Sequence, residues 1–201
     1  MVLNISKIWL TIFILSLALI QVTSAQSSEL KFNILKKDKN IGVLKIYKSE
    51  SSPFTDYQVT SNVEVSIIKK FKIKASESYR YKDDLLVYSE LKRSINDNIK
   101  DSKLLKLKVN KYILQNGDKS TILDEPEINN NLVRLYFTEP LKIDRVYCDN
   151  QQRMLDIKNL GENRYRIDFP NGVSNIFHYK AGKCVKVDVA GSFFQVKLLR
   201  E

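Results

Sequence analysis

The sequence predicts an all-β fold: a long-stranded antiparallel meander, curved into a clam or barrel-like sheet, with one short helix. Three observations predict it. From Leu30 onward apolar and polar residues alternate. The alternation breaks at turn-forming residues roughly every eight to twelve positions, the spacing of an all-β chain. The pairs Asn116-Gly117, Asn171-Gly172 and Ala181-Gly182 are two-residue hairpin signals, because Asn and Gly tolerate positive φ at the centre of a tight turn.

The elements follow in order. Lys37-Asp38-Lys39-Asn40 separates a strand over 30–36 from one over 41–48, and Ser51-Ser52-Pro53 ends that hairpin with a residue that has no N–H for a ladder. Tyr57, Val59, Ser61, Val63, Val65 and Ile67 then occupy alternate positions with Gln58, Thr60, Asn62, Glu64 and Ser66 between them, which describes a strand with one buried and one wet face. Phe71, Ile73 and Ala75 continue the pattern opposite Lys70, Lys72 and Lys74, and Lys82-Asp83-Asp84 makes the next turn. A strand over 85–94, the break Asn96-Asp97-Asn98, and Leu105-Leu107-Val109 with Lys106 and Lys108 opposite complete the first half. Strands over 141–147, 153–158, 164–169, 174–179, 184–189 and 193–199 make up the second. Sheets of this extent curl or close, because twist accumulates and open edges invite pairing with other chains.

One interval has a helical period. Asp124-Glu125-Pro126 offers a helix start, Ile128, Leu132, Leu135 and Tyr136 recur at helical spacing, and Glu139-Pro140 stops the run. A helix of one to three turns here would lie across the concave face as a lid or a plug. Leu132, Leu135 and Tyr136 would then be turned to the sheet, with Asn129, Asn130 and Arg134 comparatively exposed.

The amino terminus has the form of an export signal: Lys7, the apolar run Ile8–Ile20, and Thr23-Ser24-Ala25 with small residues placed for a cut before Gln26. The run is shorter than the roughly 20 residues that span a bilayer. Removing residues 1–25 from 201 leaves 176, enough for a single β-rich domain over 26–201. No cysteine follows the cut to carry a lipid, so the expected product is exported and unlipidated, in the periplasm or outside the cell.

The formal charge of the full chain is +10; Lys7 is the only charged residue of the leader, so the remainder carries +9. With export expected and no recognition-helix, zinc-finger or aromatic RNA-binding motif, nucleic acid is excluded as a partner. Anionic headgroups, envelope polysaccharide or an acidic protein fit the charge better. Lys70, Lys72 and Lys74 share one face of a strand, as do Lys106 and Lys108 of a later one, so adjacency in the sheet would join them into a positive ribbon. Wet-face lysines also guard long strands against edge pairing, which accounts for them without a partner. The same lysines interrupt the outward apolar band that an integral outer-membrane barrel requires, leaving peripheral rather than integral membrane association.

Phe32-Asn33-Ile34-Leu35 with Ile41-Gly42, the run Asn131-Leu132-Val133-Arg134-Leu135-Tyr136-Phe137-Thr138-Glu139-Pro140, Val146-Tyr147, and Tyr165 with Pro170-Asn171-Gly172 resemble an uncharacterised family of exported Bacteroidota proteins. The order of an opening hairpin with Ile-Gly, a short helix and a closing meander more loosely resembles periplasmic proteins of unknown function. That second resemblance implies a curved sheet related to lipoprotein carriers. Neither resemblance brings a catalytic residue or a substrate.

The chemistry-bearing residues are few. His178, the only histidine, lies in a predicted strand without a nucleophile elbow, so packing accounts for it better than general-base work. Asp83-Asp84 and Asp124-Glu125 stand where a turn and a helix start favour acids. Cys148 and Cys184 would form one bridge in an oxidising compartment if their strands bring them together; otherwise they are two buried thiols. One histidine and two cysteines fit no common metal spacing, and no phosphate-cradling loop is present, so no metal and no cofactor is expected. Tyr47, Tyr57, Tyr79, Tyr81, Tyr88, Tyr112, Tyr136, Tyr165 and Tyr179 would fill a small barrel or line an open clam. The expected function is non-enzymatic: an envelope protein holding a lipid or other amphiphile in its concave face, or a structural protein whose basic surface meets an anionic component.

Overall fold

A computed structural model describes residues 26–66, 70–125, 127–192 and 194–201. The expected leader at 1–25 lies outside the described residues, as do Ile67 and Phe193 at expected strand ends and Pro126 at the expected helix start. The strands are β1 Gln26–Lys36, β2 Lys39–Ser51, β3 Phe54–Ser66, β4 Lys70–Lys82, β5 Leu85–Ile95, β6 Asn98–Lys108, β7 Lys111–Asn116, β8 Lys119–Leu123, β9 Arg145–Cys148, β10 Arg153–Gly161, β11 Arg164–Asp168, β12 Ser174–Lys180, β13 Lys183–Gly191 and β14 Phe194–Arg200. All pair antiparallel in one curved sheet of order β8-β7-β6-β5-β4-β3-β2-β1-β14-β13-β12-β11-β10-β9. Two meanders therefore meet where β1 pairs β14, with Phe32 opposite Arg200 and Ile34 opposite Leu198. The sheet does not close: β8 and β9 are its edges.

Turn chemistry sets the register. Lys37-Asp38, Asp83-Asp84, Asn96-Asp97, Val109-Asn110, Glu162-Asn163 and Ala181-Gly182 each have positive φ at both residues, the backbone that matches strand twist. Ala181-Gly182 is thus a two-residue turn as expected. The other two Gly signals are displaced. Asn116 pairs with Lys119, so that loop is Gly117-Asp118, and Gly172 belongs to a longer loop in which the Phe169 N–H bonds the Val173 carbonyl at 2.8 Å.

Alternation then divides the side chains. Leu30, Phe32, Ile34, Leu44, Ile46, Tyr57, Val59, Tyr79, Tyr81, Leu105, Tyr112, Phe177, Tyr179 and Val187 line the concave side and are buried. At roughly 1.5–3 kcal/mol for each large apolar side chain withdrawn from water, this face is the chief source of stability. The residues opposite them in sequence, such as Lys45, Thr60 and Arg80, are exposed.

The expected helix is much reduced. Only Leu132–Tyr136 is helical, as a five-residue 3₁₀ segment. The preceding backbone bonds elsewhere: Leu86 N–H donates to the Ile128 carbonyl at 2.9 Å, Tyr147 N–H to the Asn130 carbonyl at 2.9 Å, and Asn131 forms a parallel bridge with Tyr147. Carbonyls turned toward neighbouring strands are not aligned along a helix axis, so no α-helical ladder forms here. The strand expected over 141–147 is likewise shortened to Arg145–Cys148.

Candidate functional site

The segment between β8 and β9 occupies the concavity, and its contacts form the candidate site. Val133 and Leu135 are buried, while Leu132 and Tyr136 are partly buried against the core. The Tyr136 ring meets Phe32 edge-on at 5.3 Å between centroids and Phe177 at 5.5 Å, so it is wedged between β1 and β12. Phe137 packs on Tyr57 at 5.5 Å, and the Lys48 ammonium lies 5.7 Å from the Phe137 centroid. The Tyr179 hydroxyl donates to the Leu135 carbonyl at 2.7 Å and the Tyr165 hydroxyl to Glu139 Oε1 at 3.0 Å. This segment is a plug, fixed from both halves of the sheet. Asn129 is exposed as expected and Asn130 half-buried.

Arg134 departs from expectation. Only 26% of its side chain is exposed. Its guanidinium donates to the Asn129 carbonyl at 2.6 Å and to Asp84 Oδ1 at 2.7 Å, and it stacks 4.9 Å from the Tyr81 centroid. An alternate-face rule for a regular helix would turn it outward; the 3₁₀ geometry and the neighbouring turn draw it back across the sheet.

Beneath the plug lies a buried polar cluster that the sequence did not announce. Asp149, in the turn after β9, accepts from Ser89 Oγ at 2.5 Å and from Asn131 Nδ2 at 3.1 Å. All three residues are buried. Burial pushes the Asp149 carboxyl up to about 7, helped by nearby Glu77 and opposed by the two donors. Glu77 accepts from the Tyr79 hydroxyl at 2.5 Å and is also raised by burial, with Arg93 holding it back. Asn131 caps the 3₁₀ segment without a side-chain bond to its backbone, since its amide serves Asp149. A signal for Glu77 did exist: it falls on the inward positions of β4, two residues before Tyr79. Asp149 had none, because Cys148-Asp149-Asn150 reads as an ordinary turn.

The remaining sequence candidates are separate. Cys148 and Cys184 are free, buried thiols, not a bridge. Burial raises Cys148 to about 11 and Cys184 to about 12, so neither is a reactive thiolate at neutral pH. The lysine stripes do not join. β5 stands between β4 and β6, Lys74 aligns with Ser94, and Lys106 aligns with Tyr88 and Arg80, six residues further along β4, roughly 20 Å away at strand rise. Lys74 is paired with Asp97 at 2.6 Å and Lys72 lies 3.9 Å from Glu64. Lys70 takes the next alternate position, opposite Ser66, and Lys108 ends β6 opposite Lys111. His178 Nε2 lies 2.7 Å from Asp188 Oδ2, which also takes Lys186 at 2.8 Å; against the effect of burial, the hydrogen bonds from these two side chains hold the Asp188 carboxyl below its ordinary range. Among the described residues no group of three or more acid, histidine or cysteine side chains could hold a metal ion, and no helix is long and apolar enough to cross a membrane.

The chain resembles known proteins in fold and in family. The crystal structure of a beta-barrel-like protein of domain of unknown function DUF1849 from Brucella abortus is similar in fold, with a TM-score of 0.52 over 88% of this chain and 96% of that one at 9% identity. At that identity the likeness concerns the fold alone. None of the curated proteins matches. The model of a domain of unknown function, DUF6134, matches residues 32–201, from the opening hairpin through the plug to the last strand, and the chain belongs to that family.

Proposed function

We propose that this is a non-enzymatic interaction module of the cell envelope, exported and then working through its outer surface. The observation that carries the reading is the filled concavity: Leu135 is buried, and Tyr136 is wedged between Phe32 and Phe177, where an amphiphile would have to lie. An acyl chain enters only if the plug leaves, breaking its bonds to Tyr179, Tyr165, Asp84 and Asp149 together. The grooves that do exist are open. One of about 310 Å³ follows the outer side of the plug along Leu135, Pro140, Leu141 and Ile143. The paired lysines of β4 weaken the version of this reading that rests on a continuous basic ribbon.

Purification of the protein from its own envelope, followed by native mass spectrometry and lipid extraction, tests the reading. The expected mass is that of the polypeptide alone, with the protein recovered in the envelope fraction. A stoichiometric amphiphile would return the concave face to the role of ligand site and overturn the proposal.

A further inference from the structure

The ten tyrosines separate into two groups. Seven, at 57, 79, 81, 112, 147, 165 and 179, are buried, and Tyr136 is packed against the same core. Tyr47 and Tyr88 are different. Tyr47 is 46% exposed, and Tyr88 pairs with Arg80 on the wet face of the sheet. Two amphipathic rings placed on a polar face contribute nothing to the core that holds the other eight.

The register brings them together. Tyr47 opposes Gln58, which opposes Ser78; in the neighbouring row Asp56 opposes Arg80, which opposes Tyr88. The rings therefore stand on β2 and β5, three strand spacings and one row or about 16 Å apart, with polar side chains on the two strands between. An open groove of about 560 Å³ runs over Tyr47, Asp56, Gln58, Ser78, Arg80 and Tyr88.

The groove is also held in shape. Arg80 forms a forked pair with Asp56, Nε to Oδ1 at 2.7 Å and Nη2 to Oδ2 at 3.0 Å, and its guanidinium lies 5.4 Å from the Phe54 centroid. The Tyr88 hydroxyl donates to Glu90 Oε2 at 3.2 Å, and Glu90 is paired with Lys92 at 2.7 Å. Fixed groups lose little conformational freedom when they bind. The forked pair neutralises its own charge, so the groove floor presents hydrogen-bonding atoms without a strong field of either sign.

We infer that this groove binds a polysaccharide chain laid across β2–β5, with sugar rings stacked on Tyr47 and Tyr88 and their hydroxyls bonded by Gln58, Ser78 and the Asp56–Arg80 pair. A pyranose offers an apolar ring face and an equatorial rim of hydroxyls, and the groove offers two apolar platforms around a polar floor. An acyl chain would leave that floor unsatisfied, whereas the hydroxyls of a sugar chain meet it. The inference rests on the outer-surface reading above and names its partner class.

Affinity electrophoresis in gels containing laminarin, xylan, dextran or solubilised peptidoglycan fragments tests it. At least one polymer should retard the protein. Tyr47→Ala and Tyr88→Ala should each weaken retardation by about tenfold, the loss of one aromatic anchor. Tyr88→Phe, which keeps the ring, should stay within about threefold. Both side chains point away from the core, and unchanged thermal melting would confirm that the variants are folded. Mobility unaffected by all four polymers, or retardation that survives the double Ala variant, would overturn the inference. Envelope recovery without a bound amphiphile would still stand in that case, which separates this failure from failure of the broader reading.

Discussion

Arg134 ties the plug to the β4–β5 turn through Asp84, at 2.7 Å, while its flat face covers the ring of Tyr81. The two partners are unequally placed. Asp84 is 77% exposed and Arg134 is mostly buried, so water and salt screen the ion pair but not the stacking.

Arg134→Ala should therefore destabilise the fold by about 1–3 kcal/mol, through the lost bond to the Asn129 carbonyl and the lost contact with Tyr81. Asp84→Ala should cost under about 1 kcal/mol. Urea unfolding of the two variants checks the asymmetry, and equal losses would show that the ion pair dominates.

Asp149 should make the fold less stable as pH rises. Its folded value of about 7 lies above its ordinary 3.8, so between those values the unfolded chain releases this proton while the folded chain keeps it. The contribution is fully present below about 3.8 and is lost as pH rises through about 7. Asn131 Oδ1, buried without a partner, accepts a hydrogen bond from the protonated carboxyl once its amide turns over. Asp149→Asn should flatten the stability profile across this window, gaining on the native protein at pH 8 more than at pH 4. Parallel profiles in urea titrations at the two pH values would contradict the assignment.

The strands and their faces were legible because alternation with a period of two is a local property. Tyr79 and Tyr81 declare their inward direction within a few residues, and Asp83-Asp84 declares the turn after them. What sequence did not carry was spacing between strands. Lys74 and Lys106 share an outward face, yet only the sheet order shows β5 between them and a six-residue offset along β4. The plug failed as a helix for a related reason: Ile128, Leu132, Leu135 and Tyr136 have helical spacing, but the carbonyls of Ile128 and Asn130 go to Leu86 and Tyr147, partners distant in sequence. Asp149 was invisible because its environment is assembled from Ser89, Asn131 and Glu77 on three other segments.

Gly42 is fixed by close approach and not by an unusual φ. A Cβ added there would stand 2.2 Å from the Asn62 carbonyl oxygen and 2.8 Å from the Val63 Cα, both backbone atoms of β3. The position adjoins the irregularity where β1 shifts register on β2, and the Asn40 side chain accepts from the Gly42 N–H at 2.9 Å. Gly42→Ala should cost about 1–3 kcal/mol, because backbone has to move to admit one methyl group. Thermal unfolding measures it, and a neutral substitution would mean that β2 and β3 separate freely here.

Leu132 and Leu135 were both expected against the sheet, and the structure ranks them. Leu135 is 1% exposed and Leu132 is only partly buried. In a plug, the cost of truncation follows the cavity left behind. Leu135→Ala should therefore lower stability by about 2–5 kcal/mol, and Leu132→Ala by about 1–2 kcal/mol, in proportion to its smaller buried area. If the segment instead behaved as a lid, resting on the sheet and leaving it intact when lifted, both substitutions would leave global unfolding nearly unchanged and would raise only the hydrogen exchange of residues 128–137. Urea unfolding combined with exchange over that segment distinguishes the two. Loss of global stability at Leu135, with a smaller loss at Leu132, is the outcome that the packing of Tyr136 between Phe32 and Phe177 requires.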